Sequence, residues 1–172
     1  EIRELDGRLG GASSEARSLA ERLEVRERAR AQFEQVEKAF PTDQAVVFRQ
    51  GDTIIVRLQA IAFASGSSKL PAAAEPLLGK IREVTAVYPR AIFTVEGHTD
   101  SSGDSGANQR LSQARADAVR EWMVAQLALP AGRVSAVGYG DSRPIAKNES
   151  AEGRRQNRRI DLVIDPREKL AP

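Results

Sequence analysis

The sequence predicts an α/β fold: a two-layer sandwich in which a mixed β-sheet carries helices on one face, preceded by an N-terminal helical stalk. Three observations predict it. Over residues 41–172, segments of period-2 hydrophobicity alternate with segments of helical period. Each strand-like segment has one apolar and one mostly polar face, as in a sheet covered on one side only. Residues 1–40 differ in kind, being rich in Glu, Arg, Ala and Leu and free of proline.

The elements follow in order. In residues 1–40, Ile2, Leu5, Leu9, Ala12, Ala16, Leu19 and Leu23 are spaced alternately three and four apart, a heptad seam. Gly10 and Gly11 weaken it by about 1 kcal/mol each relative to alanine. Arg26 and Arg30 then take the next seam positions. Two readings stay open, a solvated stalk and a coiled coil that self-associates weakly through residues 1–25. Phe33, Val36 and Phe40 form an apolar face expected to pack back on the domain, and Pro41 ends the segment. "VVFRQGDTIIVRL" reads as a hairpin turning at Gln50-Gly51-Asp52, with Ile54, Val56 and Leu58 on one side. A helix follows, with Leu77, Leu78, Ile81, Val84 and Tyr88 on one face and Pro76 in its first turn. "AIFTVEGH" alternates again, with Ala91, Phe93 and Val95 sharing a face. A second helix is expected from Asn108 to Leu127, presenting Leu111, Ala114, Ala118, Trp122 and Ala125. "RVSAVGYG" and "RRIDLVID" are strands joined by a loop; Ile160, Leu162 and Ile164 point inward, and Arg158 shares their parity.

Composition narrows the chemistry. Lys plus Arg number 26 against 24 Asp plus Glu, a net charge of +2, which argues against a nucleic-acid binder driven by bulk charge. The run "GRRQNRR" lacks interleaved aromatics and the last strand begins inside it. There is no cysteine, so disulfides, thiol catalysis and Cys-based zinc sites are excluded. The single histidine, His98, with Asp100 supplies at most two metal ligands where zinc needs three or four. No nucleophile elbow accompanies it. His98 is therefore read as shaping its loop through hydrogen bonds, and the chain as non-catalytic, without cofactor or metal. No apolar run of about 18 residues is present. No signal peptide is visible, and the chain opens on "EIRELDGRLGG" without a start methionine. It reads as a piece of a longer chain whose targeting segment or anchor lies ahead of it.

One stretch concentrates polar residues: "VEGHTDSSGDSGANQRLSQARADAV", residues 95–119. It runs from a strand through a Gly/Ser loop into a helix. Asn108 stands at a natural N-cap, and Arg115 is seven residues on, hence on the same helical face. Asp100 lies in the loop. A carboxylate and a guanidinium flanking one pocket suit a zwitterion, with Asp100 taking an ammonium and Arg115 forking a carboxylate. The same spacing also suits a plain Asp100–Arg115 salt bridge that pins the loop. Geometry alone leaves both open.

"EGHTDSSG", then Asn108, then "LSQARADAV", then "VGYGDSRPIAKNESAEGRRQNRRIDLVI" resembles the OmpA C-terminal-like family of peptidoglycan-binding domains, over residues 45–166. Peptidoglycan-associated lipoproteins and flagellar stator B subunits carry that module. The resemblance implies a non-catalytic domain that anchors an envelope protein to the cell wall, in the periplasm, with any membrane contact made through an N-terminal anchor. It implies that Asp100 and Arg115 hold the diaminopimelate of the stem peptide, with Ser102, Asn108 and Arg158 as further contacts. Two departures stand out. Ala64 and Gly66 occupy first-loop positions where the family often has Asp and Asn, and Ala107 replaces an aromatic before Asn108. The alternative is a periplasmic interaction module with an internal Asp–Arg pair and no wall ligand.

Overall fold

The computed structural model describes residues 2–59 and 61–167, with side chains from Gly11 onward. The elements are α1 (Ile2–Ala39), β1 (Ala45–Gln50), β2 (Thr53–Leu58), α2 (Glu75–Gly79), α3 (Ile81–Val87), β3 (Ile92–His98), α4 (Ser105–Gln126), β4 (Val134–Gly138), α5 (Ala151–Asn157) and β5 (Arg159–Asp165). The five strands form one sheet in the order β1-β2-β5-β3-β4. Only β3 and β4 run parallel; the other neighbours are antiparallel.

The alternation in the sequence becomes rows across this sheet. Val56 pairs with Leu162, which pairs with Val95; Ile54 pairs with Ile164, which pairs with Phe93. All six side chains are fully buried. They form the core together with Leu77, Leu78, Ile81, Val84 and Tyr88. The hairpin closes on Gln50 and Thr53, with Gly51 at φ +60°, a conformation that favours glycine. Pro76 sits in the first turn of α2, as expected, but the helix breaks at Lys80 into α2 and α3.

Two expectations are corrected. The segment between the last two strands is not all loop: Ser150 Oγ accepts from Gly153 N at 2.9 Å and caps the short helix α5. Helix α4 buries Ser112, Arg115, Ala116, Val119 and Met123. Of the expected stripe, Leu111, Ala114, Ala118 and Trp122 are half-buried and Ala125 is exposed. The cause is close approach. A Cβ on Gly97 would lie 2.2 Å from the Ser112 carbonyl oxygen, and one on Gly138 would lie 2.3 Å from the Gln113 nitrogen. A helix this near the sheet presents small and polar groups to it, which apolar periodicity does not register. Side chains then close the contact. Gln113 accepts from Gly138 N at 2.8 Å and donates to Ala136 O at 3.2 Å, and Gln109 donates to Gly138 O at 2.6 Å.

Val36 and Ala39 on α1, and Phe40 just after it, are buried; Phe33 packs against the core, and the helix touches α3 and β1. The expected packing of Phe33, Val36 and Phe40 is found, and Ala29 extends it. Of the heptad seam, Ala12, Ala16, Leu19 and Leu23 are exposed; the side chains of Ile2, Leu5 and Leu9 lie outside the described residues.

The close approach makes a stability prediction. Gly97→Ala forces backbone against backbone, and its unfolding free energy in urea is expected to fall by about 1–3 kcal/mol. Gly11→Ala, with nothing within 4 Å of the added methyl, is expected to raise α1 helicity in circular dichroism. An unchanged urea midpoint for Gly97→Ala would contradict the contact.

Candidate functional site

Strand β3 ends at His98, and residues 99–104 lead to α4. Thr99 N donates to Gly140 O at 2.9 Å, which ties the loop start to the chain beyond β4. Gly103, at φ +84°, turns the chain, and Asp104 caps α4, its Oδ2 accepting from Ala107 N at 2.7 Å. Asn108 is therefore not the N-cap. It lies one turn inside α4, and its Nδ2 donates to Ser102 O at 3.0 Å and Asp100 O at 3.3 Å. Asp and Asn cap comparably well, and residue type alone does not choose between them.

Asp100 is 7% exposed. Its Oδ1 accepts from Ser102 N at 2.8 Å, and its Oδ2 accepts from Arg158 Nη1 at 2.5 Å. Burial pushes the Asp100 carboxyl up. Bonds from the Ser102 hydroxyl, from Arg158 and from the Ser102 N–H, with the Arg158 charge, outweigh it and hold the carboxyl below its ordinary 3.8. Arg115 is also buried, and its partners lie in the first loop: Nε donates to Ser67 O at 2.9 Å and Nη2 to Ala64 O at 3.2 Å. Its guanidinium carbon lies 5.0 Å from the Phe63 ring centre. Burial, then the Arg158 charge, lowers its pKa, and Asp100 partly offsets them. Among the described residues the ion partner of Asp100 is Arg158, so the plain Asp100–Arg115 bridge is not what forms. Ala64 supplies no side-chain contact, but its carbonyl does the holding.

Arg158 is misplaced by strand parity. It is the C-cap of α5, half-exposed, and β5 begins one residue later. The buried arginine is Arg159, on the face of β5 opposite Ile160 and Leu162; it is bound to Asp161 at 3.0 Å, and Arg57 grips the same carboxylate at 2.9 and 3.0 Å. His98 is also corrected. Neither ring nitrogen has a hydrogen bond. The ring is buried, stacked 5.4 Å from Tyr139, with Nε2 3.8 Å from Glu96 and 3.9 Å from Asp161. Among the described residues no cluster of three or more His, Asp or Glu could hold a metal.

All five expected residues, Asp100, Ser102, Asn108, Arg115 and Arg158, line one cavity of about 600 Å³. Phe63, Thr99 and Leu111 share it. Thr99 was not singled out from the sequence; its Oγ1 is buried without a partner. Asn157 was missed too. Fully buried, it accepts from Ile145 N and Ala146 N and donates to Ala146 O and Asn148 Oδ1, and Asn148 in turn accepts from Ser101 N. It braces the Asp100 loop from behind.

A mixed sheet with helices packed on it and a pocket of fixed charges beyond the C-terminal end of β3 defines an α/β open-sandwich domain with one concentrated polar site. The chain belongs to the OmpA family, whose profile matches residues 62–158, more than half of the chain. It is 42% identical to outer membrane porin F of Pseudomonas aeruginosa over 64% of this chain and 32% of that protein. It thus spans about a third of that relative's length. Among solved structures it is similar to a MotB-like protein of Desulfovibrio vulgaris, with a TM-score of 0.73 over 86% of this chain and 96% of that one, at 22% identity. That likeness is one of fold. The cell wall anchor of the T6SS from Pseudomonas aeruginosa is 32% identical, with a TM-score of 0.64 over 71% of this chain and 87% of that one. No helix among the described residues is long and apolar enough to cross a membrane.

The depressed Asp100 carboxyl sets a pH dependence. Its contribution to stability is present above the unfolded value of 3.8 and is lost as pH falls through the lower folded value. Asp100→Asn is expected to be less stable than the parent at pH 7, with a smaller gap at an acid pH below 3.8. Urea titrations at both pH values measure it; a gap that widens in acid would contradict the assignment.

Proposed function

We propose that this chain is a non-catalytic peptidoglycan-binding domain that anchors an envelope protein to the cell wall, in the periplasm, by gripping the diaminopimelate of the stem peptide. The observation that carries this reading is the charge arrangement of one cavity. A buried carboxylate, Asp100, and a buried guanidinium, Arg115, face it without being paired to each other. A zwitterion supplies what each lacks. Its ammonium takes the acceptor sites Asp100 has left after Ser102 and Arg158. Its carboxylate takes Arg115 through Nη1, because Nε and Nη2 already donate to the Ser67 and Ala64 carbonyls. Asn108 and Ser102 hold the Asp100 loop, and Arg158 adds a second cation at the rim. Membership of the OmpA family and the likeness to a cell wall anchor support the reading.

A charge-assisted bond contributes about 1.5–3 kcal/mol net. After the entropy of association, a single stem peptide should bind in the micromolar-to-millimolar range. Retention on a polymer then rests on several copies acting together. Exposed Leu19 and Leu23 on α1 offer a seam for weak self-association, with residues 1–40 as a stalk and 41–172 as the wall-binding domain. One observation favours a second reading, an interaction module without a wall ligand: the 2.5 Å Asp100–Arg158 pair already closes one charge.

Pull-down on purified sacculi decides between them. Asp100→Ala and Arg115→Lys are each expected to lose binding at least tenfold while keeping the parent's circular dichroism. Retention by both sinks the pocket assignment. Sedimentation tests the seam: the parent chain is expected to associate weakly with rising concentration, and Leu19→Glu combined with Leu23→Glu to remain monomeric. Equal association of both chains would place the interface elsewhere.

A further inference from the structure

A second cavity, of about 390 Å³, adjoins the first and shares Phe63, Arg115 and Arg158 with it. Its remaining walls include Gln59, His98, Arg155 and Arg159, and among the described residues no acidic side chain lines it. The charges around it do not balance. Arg159 is engaged in full, by Asp161, Asn157 O and Arg143 O. Among the described residues Arg155 pairs with an exposed Glu152, 3.5 Å away. Arg115 has Nη1 unassigned after its two carbonyls, and Arg158 has Nε and Nη2 unassigned after Asp100. Arg115 and Arg158 thus stand on a shared wall with one carboxylate, Asp100, between the two of them. The repulsion is felt: the Arg158 charge lowers the pKa of Arg115 more than Asp100 raises it. His98, buried with neither ring nitrogen hydrogen-bonded, adds an unsatisfied polar group to the wall.

We propose that this cavity is a carboxylate subsite, which takes a second carboxylate of the stem peptide whose diaminopimelate occupies the neighbouring cavity. It rests on the diaminopimelate reading and extends it. The first cavity reads a zwitterion of zero net charge. The second reads an anion placed a short way along the same peptide, through the Nε and Nη2 of Arg158 and the exposed head of Arg155. Arginine suits this use because its fork presents two parallel donors to a carboxylate.

Calorimetry with the whole chain tests it. Three probes are needed: free meso-diaminopimelate, and a stem tripeptide ending in diaminopimelate with its glutamate α-carboxylate either free or amidated. The free tripeptide is expected to bind the parent about tenfold more tightly than the amidated one, a difference of about 1.4 kcal/mol. Gln59→Glu and Arg155→Ala, both at exposed positions of the second cavity only, are expected to shrink that ratio below threefold while free diaminopimelate binds within about twofold of the parent. Arg82→Ala, outside both cavities, is expected to leave the ratio at about tenfold. If diaminopimelate binds but amidation costs nothing, or if the ratio survives in both cavity variants, the subsite is wrong and the first cavity stands. If Arg82→Ala lowers the ratio equally, the effect is bulk charge and the subsite is wrong. If the parent binds none of the probes, the diaminopimelate reading fails and takes the subsite with it.

Discussion

The approach of α4 to β3 and β4 through Gly97 and Gly138 is the contact on which the site depends. Asp100 stands just past the end of β3, while Asn108 and Arg115 stand on α4. They meet only because the helix lies against the strands with backbone nearly touching backbone. A methyl at either glycine would lift the helix and carry the guanidinium away from the carboxylate. Ser112, fully buried at the crossing, serves both sides: its Oγ donates to Gln109 O within the helix and accepts from Gly140 N beyond β4. The polar stripe on α4 is therefore a packing surface and a site support at once.

Rigidity around the pocket comes from amides rather than from apolar burial. Asn108 binds two carbonyls of the 100–102 loop, and Asn157 binds the 145–148 segment at four points. Each is buried and each satisfies backbone groups that would otherwise be stranded away from water. Such a frame holds Asp100 and Arg158 in place before anything binds, which limits the ordering cost of a weak ligand. It also explains how Ala64 can stand where a side-chain contact is often found. Arg115 is held by the carbonyls of the first loop, and a carbonyl does not depend on the side chain at its residue.

Period-2 alternation located all five strands, because a sheet covered on one face leaves that pattern directly in the residues. Ile54, Val56 and Leu58, and Ile160, Leu162 and Ile164, were legible on that ground. The five candidate residues were named through motif resemblance, and the structure brings them to one cavity. Three of the features that were not legible share a cause. The start of α4 depends on whether Asp104 or Asn108 caps it, and both are good caps. The buried stripe of α4 is hidden because Ser112 and Arg115 are polar. No arginine joins the inward face of β5: α5 consumes Arg158 as its cap before β5 begins, and the buried Arg159 lies on the opposite face. In each case local chemistry allowed two answers and tertiary packing chose one.

The sheet order gives the proposed anchor a load path. Helix α1 joins the domain through β1 and α3, whereas Asp100 follows the end of β3 and Arg115 lies on α4. Under the proposed function, one path for tension between wall and stalk runs through β1 and crosses β2, β5 and β3. Strand β5 sits between the other two, antiparallel to both, and carries Ile160, Leu162 and Ile164 in the core. Its opposite face adds Asp161, gripped from β2 by Arg57 and from β5 itself by Arg159. Asp161 pairs in register with Arg57 on one side and Glu96 on the other, so this ion cluster spans the same three strands as the ladder. A force along that path meets many parallel hydrogen bonds and a buried ion cluster together, whereas the ligand is held by a few exchangeable contacts. If the proposed grip on the wall is made, it is then the weakest link, and the domain would release its ligand before it unfolds.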